Sequence, residues 1–142
     1  MYKKILLAID LNEESSWRKA MPTAVALAGS FDAALHVLTV VPEVPARVLA
    51  QYFPEGFERE TVGKADADLK ALCEKEIPAE IAPVARTTYG NVYEEILRVA
   101  GELDADLIVM ASHRPELGDY LLGPNAARVV RHCDRSVLVV RD

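Results

Sequence analysis

Leu107-Ile108-Val109-Met110-Ala111, a polar loop from Ser112 to Gly123, Pro124-Asn125-Ala126-Ala127-Arg128-Val129-Val130-Arg131-His132 and finally Ser136-Val137-Leu138-Val139-Val140 decide the fold. The first run is apolar and β-branched, so it reads as a buried strand; the third reads as a helix, the last as another strand. A strand feeding a glycine-bearing loop that opens a helix presents backbone N–H groups to a phosphate. The four N–H groups of the first helical turn have no intrahelical partner, and the macrodipole places partial positive charge there. Many α/β loops share this geometry and bind nothing, so the pattern opens a question without settling it.

The same alternation runs outward to the start of the chain. Lys4 to Ile9 is a short apolar run without polar alternation, as expected of a central strand covered on both faces. Asn12 to Ser16 offers N-caps and acidic first-turn residues for a helix over Ser15 to Ala28, with Ala20, Ala24, Leu27 and Ala28 on one face. Pro22 should kink that helix or move its start later, and Gly29 is a natural C-cap. Ala34 to Val41, closed by Pro42, is a second strand. Pro42 to Phe57, with Pro45, Pro54 and Gly56, reads as a long mobile connection. Glu58 to Glu76 has helical spacing at Ala65, Leu69 and Leu72. Ile81 to Thr88 is a strand weakened by Pro83, which suits an edge. Gly90-Asn91 turns into a helix carrying Tyr93, Ile96, Leu97 and Ala100. Strand and helix alternating in this way give a parallel sheet with helices on both faces.

At 142 residues the chain is expected to form one domain, residues 1–142. A formal net charge of −6 argues against nucleic acid and against anionic membrane surfaces. The opening Met1 to Ile9 is too short in its apolar run for a secretory leader, because Asp10 ends it, and no span reaches membrane length. Cys73 and Cys133 have no metal or redox spacing and read as reduced thiols. A cytoplasmic protein is expected.

In an open sheet, ligands sit beyond the carboxyl ends of the strands where the strand order reverses. With the first strand central, that crevice is bordered by Ala8-Ile9-Asp10, Val40-Val41 and Ala111-Ser112-His113. Asp10 could hold a ribose hydroxyl or simply cap the following loop. Ser112 and His113, adjacent on extended chain, point to opposite sides and are poorly placed as nucleophile and base. His36 reads as a packed or edge residue, and His132 as a favourable cation at a helix C-terminus. Asp104 and Asp106 read as a solvated turn, Arg128 and Arg131 as an outward helix face. No His, Asp or Glu set has metal-site spacing.

These residues carry a family resemblance. Tyr2 to Asp10 resembles the first strand of the universal stress protein family. Met110-Ala111-Ser112-His113-Arg114-Pro115, then Tyr120 to Ala127 and Val129 to His132, resembles a small single-domain bacterial branch with a Ser-His-Arg-Pro loop. The likeness runs the length of the chain. It implies a five-stranded parallel α/β domain of order 3-2-1-4-5, Rossmann-like in architecture, and a homodimer whose last strands pair across a two-fold axis. It also implies ATP or another adenine nucleotide, with Mg2+ accompanying it and no tight metal site.

On that resemblance adenine lies against Val40 and Met110, ribose near Asp10, and phosphates along Ser112, Arg114, Gly123 and Asn125. Ala8 and His113 complete the set. Typical binders have glycines where this chain has Ala111 and Arg114, and a hydroxyl residue where it has Pro124. The proline removes an N–H and a hydroxyl donor, while Arg114 offers a charge-assisted phosphate contact and Asn125 an amide. The unbroken apolar run Val137, Leu138, Val139, Val140 would be an exposed edge unless a second copy covered it, which makes it the expected dimer interface. Two functions follow: a dimeric nucleotide-binding regulatory module with an unnamed protein partner, or the same dimer acting through protein contacts without nucleotide. A nucleotide hydrolase ranks last, since there is no Walker lysine, catalytic carboxylate pair or nucleophile–base couple.

Overall fold

The computed structural model describes residues 1–112 and 122–141. The elements are β1 (Lys4–Ile9), α1 (Ala20–Phe31), β2 (Ala34–Pro42), α2 (Ala46–Tyr52), α3 (Phe57–Glu76), β3 (Val84–Gly90), α4 (Val92–Leu103), β4 (Leu107–Ser112), α5 (Pro124–His132) and β5 (Ser136–Arg141). Short 3₁₀ turns occupy Glu14–Ser16 and Ala79–Ile81. The five strands form one sheet in the order β3-β2-β1-β4-β5, every pair parallel, as expected.

Side chains alternate across a strand, and β1 sorts its residues accordingly. Ile5, Leu7 and Ile9 face a layer built by α1 and α3, where Met21, Ala24, Leu69 and Cys73 are buried. Leu6 and Ala8 face the opposite layer, built by α4 and α5 with Ile96, Val99, Ala126 and Val129. Both faces of β1 are covered, which is why its sequence shows no polar alternation.

Four local expectations are corrected. The first helix starts at Ala20 rather than Ser15, because Glu14–Ser16 closes a separate 3₁₀ turn. Pro22 then falls in the first turn, where its missing N–H costs nothing. Gly29 is not the cap: the helix runs on to Phe31, whose ring meets Tyr2 edge-on at 5.7 Å, and Asp32 takes the left-handed conformation at φ 52°. The connection from Pro42 to Phe57 holds α2, which Pro45 and Pro54 bracket instead of breaking. Pro83 precedes β3 rather than lying in it, although β3 is an edge strand as expected.

Asp106 is more than a solvated turn residue. Its carboxylate accepts the backbone N–H groups of Lys3 and Lys4 at 2.8 and 3.0 Å, fixing the start of β1 beside β4. Burial pushes its pKa up, but these two hydrogen bonds outweigh that and hold it below the ordinary 3.8. A depressed carboxyl contributes stability that is present above 3.8 and lost as pH falls through the lower folded-state value. Asp106→Ala should cost about 2 kcal/mol at neutral pH. Acid titration of unfolding should show the gap between the two proteins closing below the ordinary carboxylate range; an unchanged gap would contradict this role.

Candidate functional site

A cleft of about 820 Å³ opens at the carboxyl ends of β1, β2 and β4, within the usual size for small-ligand sites. It has two unlike halves. Under α4 and α5 the lining is apolar: Ala8, Leu38, Val40, Val92, Ile96 and Met110, with Leu122 and Ala126. Toward α3 it is polar, with Asp10, Asn12, Glu13, Ser16, Thr61, Lys64 and Asp68. The floor of the apolar half is low because Ala8, the smallest side chain in its row, pairs in register with Leu38 on one side and Met110 on the other.

Asp10 stands where the two halves meet. Its backbone N–H donates to Ser16 Oγ and the Ser16 hydroxyl donates back to the Asp10 carbonyl, both at 2.8 Å. Asn12 N–H donates to Asp10 Oδ1 at 2.9 Å, an Asx turn, which leaves Oδ2 without a protein partner among the described residues. Capping thus occupies only one of the two carboxylate oxygens among the described residues. Beside it, the buried Thr39 hydroxyl donates to the Ile9 carbonyl at 3.1 Å and so satisfies the end of β1.

Gly123 turns the chain into α5 at φ 83°, a conformation that favours glycine. Pro124 is the first helical residue and offers no N–H. The N–H groups of Asn125 and Ala126 remain without intrahelical partners, and both residues line the cleft.

The structure thus gathers Ala8, Asp10, Val40, Met110, Gly123 and Asn125 around one cavity, together with Ala111. Ser112 does not line it: β4 continues through Ser112, still paired with Arg141, and carries that residue past the rim. His113 and Arg114 lie outside the described residues. Sequence reading missed the α3 wall, where Thr61, Lys64, Ala65 and Asp68 share one face at i, i+3, i+4 and i+7. The signal was geometric. A 20-residue helix spans about 30 Å whereas its seven-residue neighbour β3 spans about 23 Å, so one end of α3 must overhang the sheet.

Among the described residues no group of three or more His, Cys, Asp or Glu is placed to hold a metal. No described helix is long and apolar enough to cross a membrane. Cys73 and Cys133 form no disulfide, and burial pushes the Cys73 thiol up to about 11, far from a reactive thiolate. His36 is half-buried on β2; burial first, then Lys4 and Arg86, hold its imidazole below the ordinary 6.5.

β5 is paired on one side only. Val137 and Val139 pack toward α4 and α5, and Val140 packs against the opposite layer. Leu138 remains 36% exposed, and Val130 on α5 is 44% exposed.

A doubly wound parallel sheet with a two-sided cleft at its strand ends defines an α/β domain of the Rossmann-like kind, its cleft lying where open sheets of this class take their ligands. The comparisons make this specific. The family model described as "Universal stress protein family" matches residues 1–141. Universal stress protein G of Shigella flexneri is 33% identical over 145 residues, covering 99% of this chain and 100% of the relative. The chain belongs to the universal stress protein family. Among solved structures, the universal stress protein UspA from Lactobacillus plantarum superposes with a TM-score of 0.70 at 24% identity, covering 99% of this chain and 98% of that one. A universal stress protein crystallised in complex with cAMP superposes with a TM-score of 0.67, also at 24% identity, over 99% of this chain and 97% of the other.

Proposed function

We propose that this protein is a dimeric, cytoplasmic regulatory module that binds ATP or another adenine nucleotide in the strand-end cleft and carries no dedicated chemistry. The observation that supports this best is the division of the cleft. Its apolar half, floored by Ala8 between Val40 and Met110, offers a purine a slot in which ring burial drives binding. Asp10 Oδ2, which has no protein partner among the described residues, would accept a ribose hydroxyl at the junction, and the N–H groups of Asn125 and Ala126 would take phosphate. A structural relative solved with cAMP is in keeping with an adenine nucleotide. Nucleotide would signal by changing what a protein partner meets at the cleft's rim, with Mg2+ entering alongside a triphosphate.

The test is a thermal shift. Ligand at tenfold its Kd should raise the melting temperature by about 5 °C if only native protein binds it. Asp10→Ala, losing a hydrogen bond to a charged acceptor, should lower affinity about tenfold and cut that rise to about 1 °C. No shift at millimolar nucleotide would sink the reading.

A second reading has its own support. Pro124 removes a donor from the helix start and Ala111 stands where family binders place glycine, both of which suit a dimer that acts through protein contacts alone. The same thermal shift separates the two.

A further inference from the structure

Two separate helices line the apolar half of the cleft: α4 through Val92 and Ile96, α5 through Ala126. A contact outside that lining joins them. Tyr93, half-buried on α4, is not among the cleft residues and packs into the layer that holds Ile96, Ala126 and Val129. The His132 ring of α5 stacks on it, with centroids 5.9 Å and planes 30° apart, and the Arg128 guanidinium carbon lies 5.4 Å from its centre. Both separations fall where such pairs attract. Arg128 and His132 stand at i and i+4, so one face of α5 grips a single ring on α4. Arg128 makes no ion pair among the described residues that would draw it off the ring.

We propose that this clasp makes Tyr93 a specificity-determining position: by fixing α5 against α4 it sets the width of the slot, and so the size of flat base that fits. This rests on the nucleotide reading above and deepens it. Tyr93 is a positioning residue, acting through Ile96 and Ala126 without touching the ligand. Ile96 follows it by about one turn of α4, and Ala126 precedes Arg128 by about half a turn of α5, distances over which a helix is stiff. The buried side chains of the two helices in this layer, Ile96, Val99, Ala100, Ala126 and Val129, are aliphatic. Their attraction is non-directional, whereas ring stacking and a cation over a ring prefer particular geometries. The clasp therefore supplies the orientation that burial alone leaves loose.

The experiment is titration of the intact protein with adenosine and with ethenoadenosine, whose extra fused ring widens the base in its own plane. Wild type should bind adenosine at least about tenfold more tightly. Tyr93→Leu should bring the two affinities within about threefold of each other. Tyr93→Phe should keep the wild-type ratio, because the ring supplies the clasp and the hydroxyl makes only a 3.5 Å contact with Glu94. Arg128→Ala combined with His132→Ala releases α5 from exposed positions, where substitutions disturb folding little, and should match Tyr93→Leu. A purely stabilising role would lower the melting temperature and leave the ratio as it was. A wild-type ratio in folded Tyr93→Leu and in the double variant, or equal binding of the two ligands by wild type, would overturn the proposal while leaving nucleotide binding standing. Binding of neither ligand by wild type at millimolar concentration would remove the nucleotide reading and this proposal together.

Discussion

Replacing Leu138 with aspartate is expected to leave only monomers at micromolar concentration, where the proposed dimer of wild type would persist. Among the described residues β5 has a neighbouring strand, β4, on one side only, and its Leu138 stays 36% exposed. A flat apolar edge of this kind is an aggregation site unless covered. A second copy pairing β5 with β5 would cover it, and two-fold symmetry makes each residue count twice. The substitution puts two unpaired carboxylates, one from each subunit, into an apolar seam, a cost of at least about 3 kcal/mol in all, which should raise the dissociation constant at least about a hundredfold. Sedimentation reads this directly, and unchanged circular dichroism would show that the fold survives. A wild-type monomer at micromolar concentration, or a dimeric Leu138→Asp protein, would contradict the interface.

The second large effect concerns the floor of the cleft. Ala8→Phe should abolish adenine nucleotide binding, lowering affinity at least about a hundredfold by filling the slot that a purine would occupy. Ala8 sits on the central strand between Leu38 and Met110, at the base of the apolar half. The added ring extends into the cavity, so the folding cost should stay within about 1–3 kcal/mol. Adenosine and its phosphates should be lost alike. Retained binding in a folded Ala8→Phe protein would place the ligand elsewhere.

The sheet was legible in the sequence because its central strands are buried on both faces and therefore read as unbroken apolar runs. α5 and α4 were legible because Pro124 and Asn91 mark their starts; the Asn91 side chain accepts the Glu94 N–H at 3.3 Å. The end of α1 was not, since Gly29 offered a natural stop, whereas the helix runs on to Phe31, which packs on Tyr2, and is capped by Asp32 in the left-handed conformation. α2 was hidden by its flanking prolines, which suggest irregular chain whether they bracket a helix or replace one. For the cleft, Asp10, Val40 and Met110 could be found from topology, because the ends of neighbouring strands must meet. Lys64 and Asp68 carry no local motif; only the excess length of α3 over β3 points to them.

The ligand is proposed to enter one cleft, at the carboxyl ends of β1, β2 and β4 and walled by α3, α4 and α5. Amide chemical-shift mapping during titration with adenosine 5′-monophosphate tests it most directly. Saturable shifts are expected at Ala8, Asp10, Val40, Met110 and Asn125, with the amides of β3 and the outer turns of α4 unmoved. Shifts scattered over the surface, or none at millimolar ligand, would contradict it.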